Sequence, residues 1–409
     1  MQDKELYQTI LGLDAPWHVA DVELDENDGE IRVMVEHPRG VKFDCPECGC
    51  SLACFDHGEV RRWRHLDSCQ FKTILLAKVP RVKCPEHGVK TVSVPWADGS
   101  SRFTLLFERF AIDVLQATQT IKGAMGILNL KWDATWSILE RAVKRGKARK
   151  TNSPLPRIGI DEKAFLKGQS YVTMIYDLDN STVEAISDGN DTDSAIACFS
   201  QLSKEQIESV KAIAMDMSAS YVKATKQVIP LAEGKIVHDR FHVMQLSNKA
   251  VDKVRKKENR ELLAIGDKTL VGSKYVWLRS FENQTEAQEA RFNEIYDHEL
   301  DTAKAWGFKE VLRNLWLQKD EKTATKYFND WYKRVIHSNL EPMKTLARTI
   351  KERLKNVVSF CTHGITNAVA EGMNSKIMSI KRRVGGFRNI ENFKTAIFFY
   401  CGGLDLDPR

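Results

Sequence analysis

The sequence predicts a multidomain α+β protein, and three observations carry that expectation. Six of the nine cysteines crowd between Cys45 and Cys84, hydrophobic spacing turns helical from Ser101 onward, and two apolar strands further along each end in an acid, at Asp161 and Asp216. At 409 residues the chain is too long for one ordinary core. Its 43% hydrophobic and 28% charged residues are those of a folded protein and exclude a disordered one. The pattern changes suggest five segments, residues 1–98, 99–150, 151–250, 251–361 and 362–409.

In the first segment, residues 19–24 and 30–37 alternate apolar and polar around Asn27-Asp28-Gly29, the pattern of a β-hairpin. Cys45-Pro46-Glu47-Cys48-Gly49 then finds an echo in Cys84-Pro85-Glu86-His87-Gly88. Each phrase offers two ligands separated by two residues. Together Cys45, Cys48, Cys84 and His87 suit tetrahedral Zn²⁺ in a closed structural site, so the segment reads as a small zinc ribbon. The strands between are expected at RRWRHL and KTILLAKVPRVK, and Cys50 or Cys54 could replace one of the four ligands. His57 and His65 read as surface or strand residues. So small a segment is expected to depend on the ion for its fold. No basic n-region precedes an apolar stretch at the N-terminus, and no run reaches the length of a membrane span. A cytoplasmic location is expected, with thiols reduced and no membrane partner.

Residues 103–117, 120–130 and 132–145 read as three helices, with Trp132, Trp136, Leu139 and Val143 on one face of the third. Two short helices joined by a tight turn form a helix-turn-helix, whose second helix enters the DNA major groove. Lys131, Asp133 and Thr135 near the start of that helix are candidates for base edges. Net charge is only +6, but 141–150 holds six basic residues and no acidic one. Arg141, Lys144, Arg145, Lys147, Arg149 and Lys150 are therefore candidates for phosphate contacts.

Beyond a linker marked by Pro154 and Pro156, strands are expected at 158–161, 171–176, 183–187, 210–215 and 235–238, with helices at 193–202 and 221–229. Acids at the ends of the first and fourth strands match a ribonuclease H-like α/β catalytic domain, in which those two strands are neighbours. Asp161 and Asp216 would then face each other. Paired carboxylates suit phosphoryl transfer by two Mg²⁺ ions about 3.5–4 Å apart. Residues 251–360 are rich in Lys and Glu and carry Trp277, Trp306, Trp316 and Trp331, which reads as an all-helical insertion with a tryptophan-containing core.

The stretches IGIDEKAF, AIAMDMSASY, VHDRFHVMQL and THGITNAVAEGMNSKIMSIKRRVGGFRN resemble those of the ISL-three family of bacterial insertion-sequence transposases. The resemblance runs from Cys45 to about Gly403. It implies a DDE transposase using Mg²⁺ or Mn²⁺ at Asp161, Asp216 and Glu371, with His242 of the acid-x-x-His stretch supporting the scissile phosphate. Asn367, Glu371, Asn374 and Ser375 share a face of a helix starting near Thr366. Asn374, Lys376, Lys381, Arg382 and Arg383 would hold DNA beside the acids. The implied partners are double-stranded DNA, as terminal inverted repeats and as target, and a second copy of the chain in a homodimer on the bacterial nucleoid. Two other readings stand beside it: a catalytically silent DNA-binding regulator, and a ribonuclease H-like structure-specific nuclease such as a junction resolvase.

Overall fold

In the computed structural model, which describes residues 3–166, 168, 170–296, 298–384 and 386–409, α1 (Asp3–Ile10) leads into a hairpin of β1 (His18–Asp25) and β2 (Glu30–Glu36). Gly29 takes the positive φ of 63° that the turn between them requires. Next come β3 (Lys42–Asp44), β4 (Ser51–Arg64), β5 (Lys72–Cys84) and β6 (Gly88–Thr91). The sheet order is β1-β2-β5-β4-β3, with β6 on β5. β4 begins ten residues before the expected RRWRHL stretch, and it alternates half-buried and exposed positions along most of its length. Trp17, Val33, Trp63, Leu75, Val82 and Trp96 pack a sizeable core against it. The segment therefore has apolar support of its own, beyond the expectation that an ion alone holds it.

His65, expected at a surface or in a strand, is only 3% exposed, and its Nδ1 lies 2.9 Å from the Thr104 hydroxyl. Burial, with Arg64 beside it, pushes its pKa down to about 4. The unfolded chain takes up this proton near pH 6.5 while the folded chain refuses it until about pH 4. Stability present at neutral pH is thus lost as pH falls through that window, by roughly 3 kcal/mol at most. The urea midpoint of His65→Asn should vary less with pH between 4 and 6.5 than that of the unaltered chain. Equal slopes would remove His65 as the cause.

Three helices follow: α2 (Leu105–Thr118), α3 (Ile121–Leu128) and α4 (Trp132–Arg149). Thr104 and Thr120 cap the first two through their side chains, and Asn129 ends α3 in the left-handed conformation at φ 51°. Glu108 is fully buried in this bundle and accepts from Ser101 at 2.7 Å and from Arg141 at 2.9 Å.

The α/β part starts with an antiparallel meander of β7 (Arg157–Leu166), β8 (Ser170–Asp177) and β9 (Thr182–Asp188). Then follow α5 (Thr192–Phe199), α6 (Lys204–Ser209), β10 (Ala212–Met215), α7 (Ala219–Val228) and β11 (Ile236–His238). In the order β11-β10-β7-β8-β9, with β10 parallel to both β7 and β11, the first and fourth strands of this part are neighbours, as expected. β7 does not stop at Asp161 as expected; it continues to Leu166 because residues 162–166 go on pairing with β8.

The helical insertion grows from α8 (Arg240–Ala264) through α9 (Lys274–Leu278), α10 (Glu286–Tyr296), α11 (Asp301–Arg313), α12 (Glu321–Ile336), α13 (Glu341–Glu352), α14 (Leu354–Val358) and α15 (Phe360–His363). Trp277, Trp316 and Trp331 are buried in its core, as expected, and Trp306 packs against it. The chain closes with α16 (Ala368–Arg383) and α17 (Ile390–Cys401). Two compact units result, Met1–Lys150 with Ile380–Arg409, and Thr151–Ser379. The last thirty residues, read from sequence as part of the α/β domain, group with the first unit.

Candidate active site

Asp161 lies on β7 and Asp216 directly follows β10. The parallel register pairs Ala214 with Gly159, so the two acids emerge side by side. Gly159 has no side chain for a reason: a Cβ there would come within 2.8 Å of the Asn367 Oδ1. That close approach lets the segment opening α16 press onto the sheet and deliver Glu371. Asp239 caps α8, accepting from the Phe241 N–H at 2.9 Å and from the Asn367 N–H at 3.2 Å. It thereby ties α8 to the start of α16. One helical turn on, His242 Nε2 stands 4.0 Å from Glu371 Oε1.

The acids are not equally placed. Glu371 groups tightly with Asp239 and His242, their ligand atoms all within 4.8 Å of one another. Asp161 is half-buried, and desolvation, reinforced by the negative charge of Glu162, pushes its pKa up to about 6; His242 and Asp216 also lie within electrostatic reach. Burial likewise raises Glu371, with Asp239 adding to it. His242 thus acts electrostatically on Asp161 while lying 4.0 Å from Glu371. Such a crowd of carboxylates, with a histidine among them, has the chemistry of a divalent-cation site.

Asn374 was expected at DNA, but it is 5% exposed and fully engaged inside the fold. Its Nδ2 donates to Asp161 Oδ2 at 2.7 Å and its Oδ1 accepts from the Tyr176 hydroxyl at 2.8 Å. Glu162, next to Asp161, is held by the Tyr221 hydroxyl at 2.7 Å. In the sequence Asp239 stands out only as part of the acid-x-x-His stretch. Its signal was available, because an Asp before a helix is an N-cap whose second oxygen is left over for other partners.

In the first unit, Cys45, Cys48, Cys84 and His87 bring their ligand atoms within 4.8 Å of one another. Cys48 Sγ lies 3.7 Å from Cys84 Sγ, which lies 3.5 Å from His87 Nδ1. Ligands at about 2.3 Å from a tetrahedral Zn²⁺ would be about 3.8 Å apart, so the donor set fits. Cys54 points elsewhere, with Sγ 3.3 Å from the Asp56 carbonyl and 3.9 Å from His57 Nε2. Cys50 contributes its backbone carbonyl to the Cys45 N–H at 2.9 Å. Neither belongs to the group whose ligand atoms all lie within 4.8 Å of one another, although the Cys50 thiol lies beside that of Cys48.

Of the expected base-reading residues, Lys131 and Asp133 are exposed at the start of α4. Thr135 is fully buried and its hydroxyl donates to the Lys131 carbonyl at 3.1 Å, so it does not face DNA. Trp132, expected on one helix face with Trp136, Leu139 and Val143, is 44% exposed at this end of the helix, while those three are buried. Much of the basic run is spent within the first unit. Arg141 and Arg145 pair with buried Glu108, and Arg145 also donates to the Leu406 carbonyl at 3.2 Å. Arg149 donates to the Asp407 carbonyl at 2.5 Å and Lys150 to that of Gly402 at 3.2 Å. Lys147 Nζ sits 3.5 Å over the Phe398 ring. Lys144 stays exposed. Further on, Arg383 donates to Gln119 and Lys381 lies 5.9 Å over the Phe393 ring, while Lys376 is exposed on α16.

A ribonuclease H-like sheet with acids on its first and fourth strands, a third acid on a closing helix and a helical insertion defines a nucleic-acid phosphoryl-transfer enzyme. Residues 158–397 match a family model described as transposase, residues 42–87 one for the zinc finger of the transposases IS204, IS1001, IS1096 and IS1165, and residues 92–143 one for the helix-turn-helix domain of transposase family ISL3. The chain belongs to the ISL3 family of transposases. It is 26% identical to the transposase for insertion sequence element IS1001 of Bordetella parapertussis, over 96% of this chain and 97% of that one. It is also 26% identical to the transposase for IS1557 of Mycobacterium tuberculosis, over 95% and 93% of the two chains. The protein is thus a DDE-type DNA transposase with zinc-finger and helix-turn-helix segments. No helix among the described residues is long and apolar enough to cross a membrane.

Proposed function

We propose that this transposase binds the terminal inverted repeats of its own insertion sequence, cuts at the element's ends with Asp161, Asp216 and Glu371, and joins the freed ends to target DNA. The observation that carries the reading is the side-by-side emergence of Asp161 and Asp216 from neighbouring parallel strands, with His242 in electrostatic reach of Asp161 and 4.0 Å from Glu371. Mg²⁺ or Mn²⁺ held by the three carboxylates would make the attacking water a better nucleophile and neutralise charge on the leaving oxygen. Water attacks the scissile phosphorus and the 3′-oxygen departs, taking a proton; that 3′-hydroxyl then attacks a phosphorus of the target strand, whose own 3′-oxygen leaves and is protonated in turn. Asn374 holds the Asp161 carboxylate in place through its 2.7 Å hydrogen bond. His242 faces the phosphate, where a ring N–H would donate to a non-bridging oxygen.

Zn²⁺ held by Cys45, Cys48, Cys84 and His87 keeps the knuckles of the ribbon closed. Lys131, Trp132 and Asp133 meet the major groove, while Lys144 and Lys376 meet phosphates. The work divides along 1–98 for the ribbon, 99–150 for DNA recognition, 151–250 with 362–409 for catalysis and 251–361 for the insertion. Two element ends require paired active sites, hence a homodimer on DNA, acting on the nucleoid in the cytoplasm.

A duplex carrying the element's terminal repeat, incubated with the chain and Mg²⁺, should be nicked at the element boundary to leave a 3′-hydroxyl. Binding should weaken steeply with salt, as phosphate contacts demand. Binding without cutting, in either Mg²⁺ or Mn²⁺, would favour the silent regulator. Preference for branched DNA over the repeat would favour the resolvase.

A further inference from the structure

A cavity of about 950 Å³ opens in the second unit between the first two turns of α8 and the stretch from Lys309 to Leu317. It lies next to the active site along the chain, because Arg240 and Phe241 on its wall immediately precede His242, whose ring packs edge-on to that of Phe241 at 5.7 Å. The Phe241 ring is 55% exposed and Leu317 is 75% exposed, a large apolar outlay for a surface with no structural need of it. Amide side chains of Gln245 and Asn248 share the wall. The indole N–H of Trp316 and the Oδ1 of Asn248 are buried in these walls without a partner among the described residues, and Trp316 is only 6% exposed. Unpaired buried donors and acceptors are rare enough to require an explanation. Arg240 is exposed at the mouth and forms no ion pair among the described residues.

From these walls we infer that the cavity receives one unstacked nucleobase of the DNA held beside His242, next to the scissile phosphate. A base is flat enough to lie on Phe241 and carries both donor and acceptor edges for the amides and the indole. The phosphate attached to it would fall at Arg240. The Asn248 and Trp316 side chains would turn on binding to present their unpaired atoms, which are buried in the free chain. An apolar ligand would leave those groups unpaired, and a fully stacked duplex would present no base to Phe241. Extrusion costs stacking energy, which contact with an aromatic side chain returns in large part. The inference rests on the cleavage reading above and adds to it a binding subsite for one nucleotide.

The test uses the full chain and terminal-repeat duplexes carrying 2-aminopurine, which brightens when unstacked, at each position across the element boundary in turn. Calcium replaces magnesium to hold the uncut complex. A single position beside the cut should brighten several-fold, or alter its emission on stacking against Phe241. Phe241→Ala should reduce the captured population about tenfold, Trp316→Phe and Asn248→Leu should each reduce it several-fold, and Phe241→Trp should restore it. End binding by gel shift should change less than twofold in all four variants. An abasic nucleotide at the responsive position should make cleavage indifferent to Asn248→Leu. If the chain cuts the duplex and no position responds, or the response survives Phe241→Ala, the base pocket is wrong while cleavage stands. If the unaltered chain neither binds nor cuts, both readings fail together.

Discussion

Asp216→Asn is expected to lower cleavage of a terminal-repeat duplex by about a thousandfold or more, while leaving binding to that duplex nearly unchanged. The magnitude follows from the charge handling that a bound divalent ion provides, several kcal/mol of transition-state stabilisation at about 1.4 kcal/mol per tenfold in rate. Asparagine keeps the shape of aspartate but loses its charge, so the fold at the end of β10 has no reason to change. Asp216 Oδ1 accepts the Ser218 N–H at 2.8 Å, and the asparagine oxygen accepts it equally well. Cleavage timed on a labelled duplex, beside gel-shift binding, reads the split; normal cutting by this variant would refute the site. Asn374→Ala offers a graded companion. Because Asn374 acts on Asp161 rather than on DNA, the variant should raise the Mg²⁺ concentration needed for half-maximal cutting and leave the salt dependence of binding alone.

Much of this site was legible because sheets obey strict rules. Acids on the first strand and just after the fourth become neighbours once β10 lies parallel to β7, and the strand pattern together with the ribonuclease H-like fold it matches gave that pairing. Glu371 was beyond such reasoning, since the insertion that separates it from Asp216 can return the chain anywhere; only the motif identified it. Asn374 illustrates a different limit. A polar residue one turn from an acid on a basic helix reads as a DNA contact, and nothing local reveals that Tyr176 and Asp161 close over it. Thr135 and Arg145 were misjudged for the same reason. Exposure is a tertiary property: Thr135 turns its hydroxyl back onto the helix, and Arg145 finds the Leu406 carbonyl far along the chain. The zinc knuckles were the easiest part, because two ligands in a tight turn are placed by the turn itself.

Removing the ribbon's ion should produce the second large effect, confined to one part of the chain. Cys84→Ser, or a strong chelator, is expected to lower the stability of the first sheet by about 4 kcal/mol where the free ion exceeds its dissociation constant a thousandfold. The ligand turns at Cys45–Gly49 and Cys84–Gly88 have little apolar anchoring beyond Cys45 and Cys84 themselves. Crowded thiols without a cation also repel one another as they ionise. The core around Trp17, Trp63, Leu75 and Trp96 includes Cys45 and Cys84 but is built mostly from residues outside the knuckles, so it is expected to pack without the ion. Amide exchange should therefore accelerate first in the two knuckles and in β6, which pairs with the end of β5, and least at Trp63 and Leu75. Uniform acceleration over the whole sheet would mean that the apolar core is too weak to stand alone. Cys54→Ser provides the internal control. Its thiol faces Asp56 and His57 rather than the four ligands, so zinc stoichiometry and knuckle protection should stay as they are in the unaltered chain.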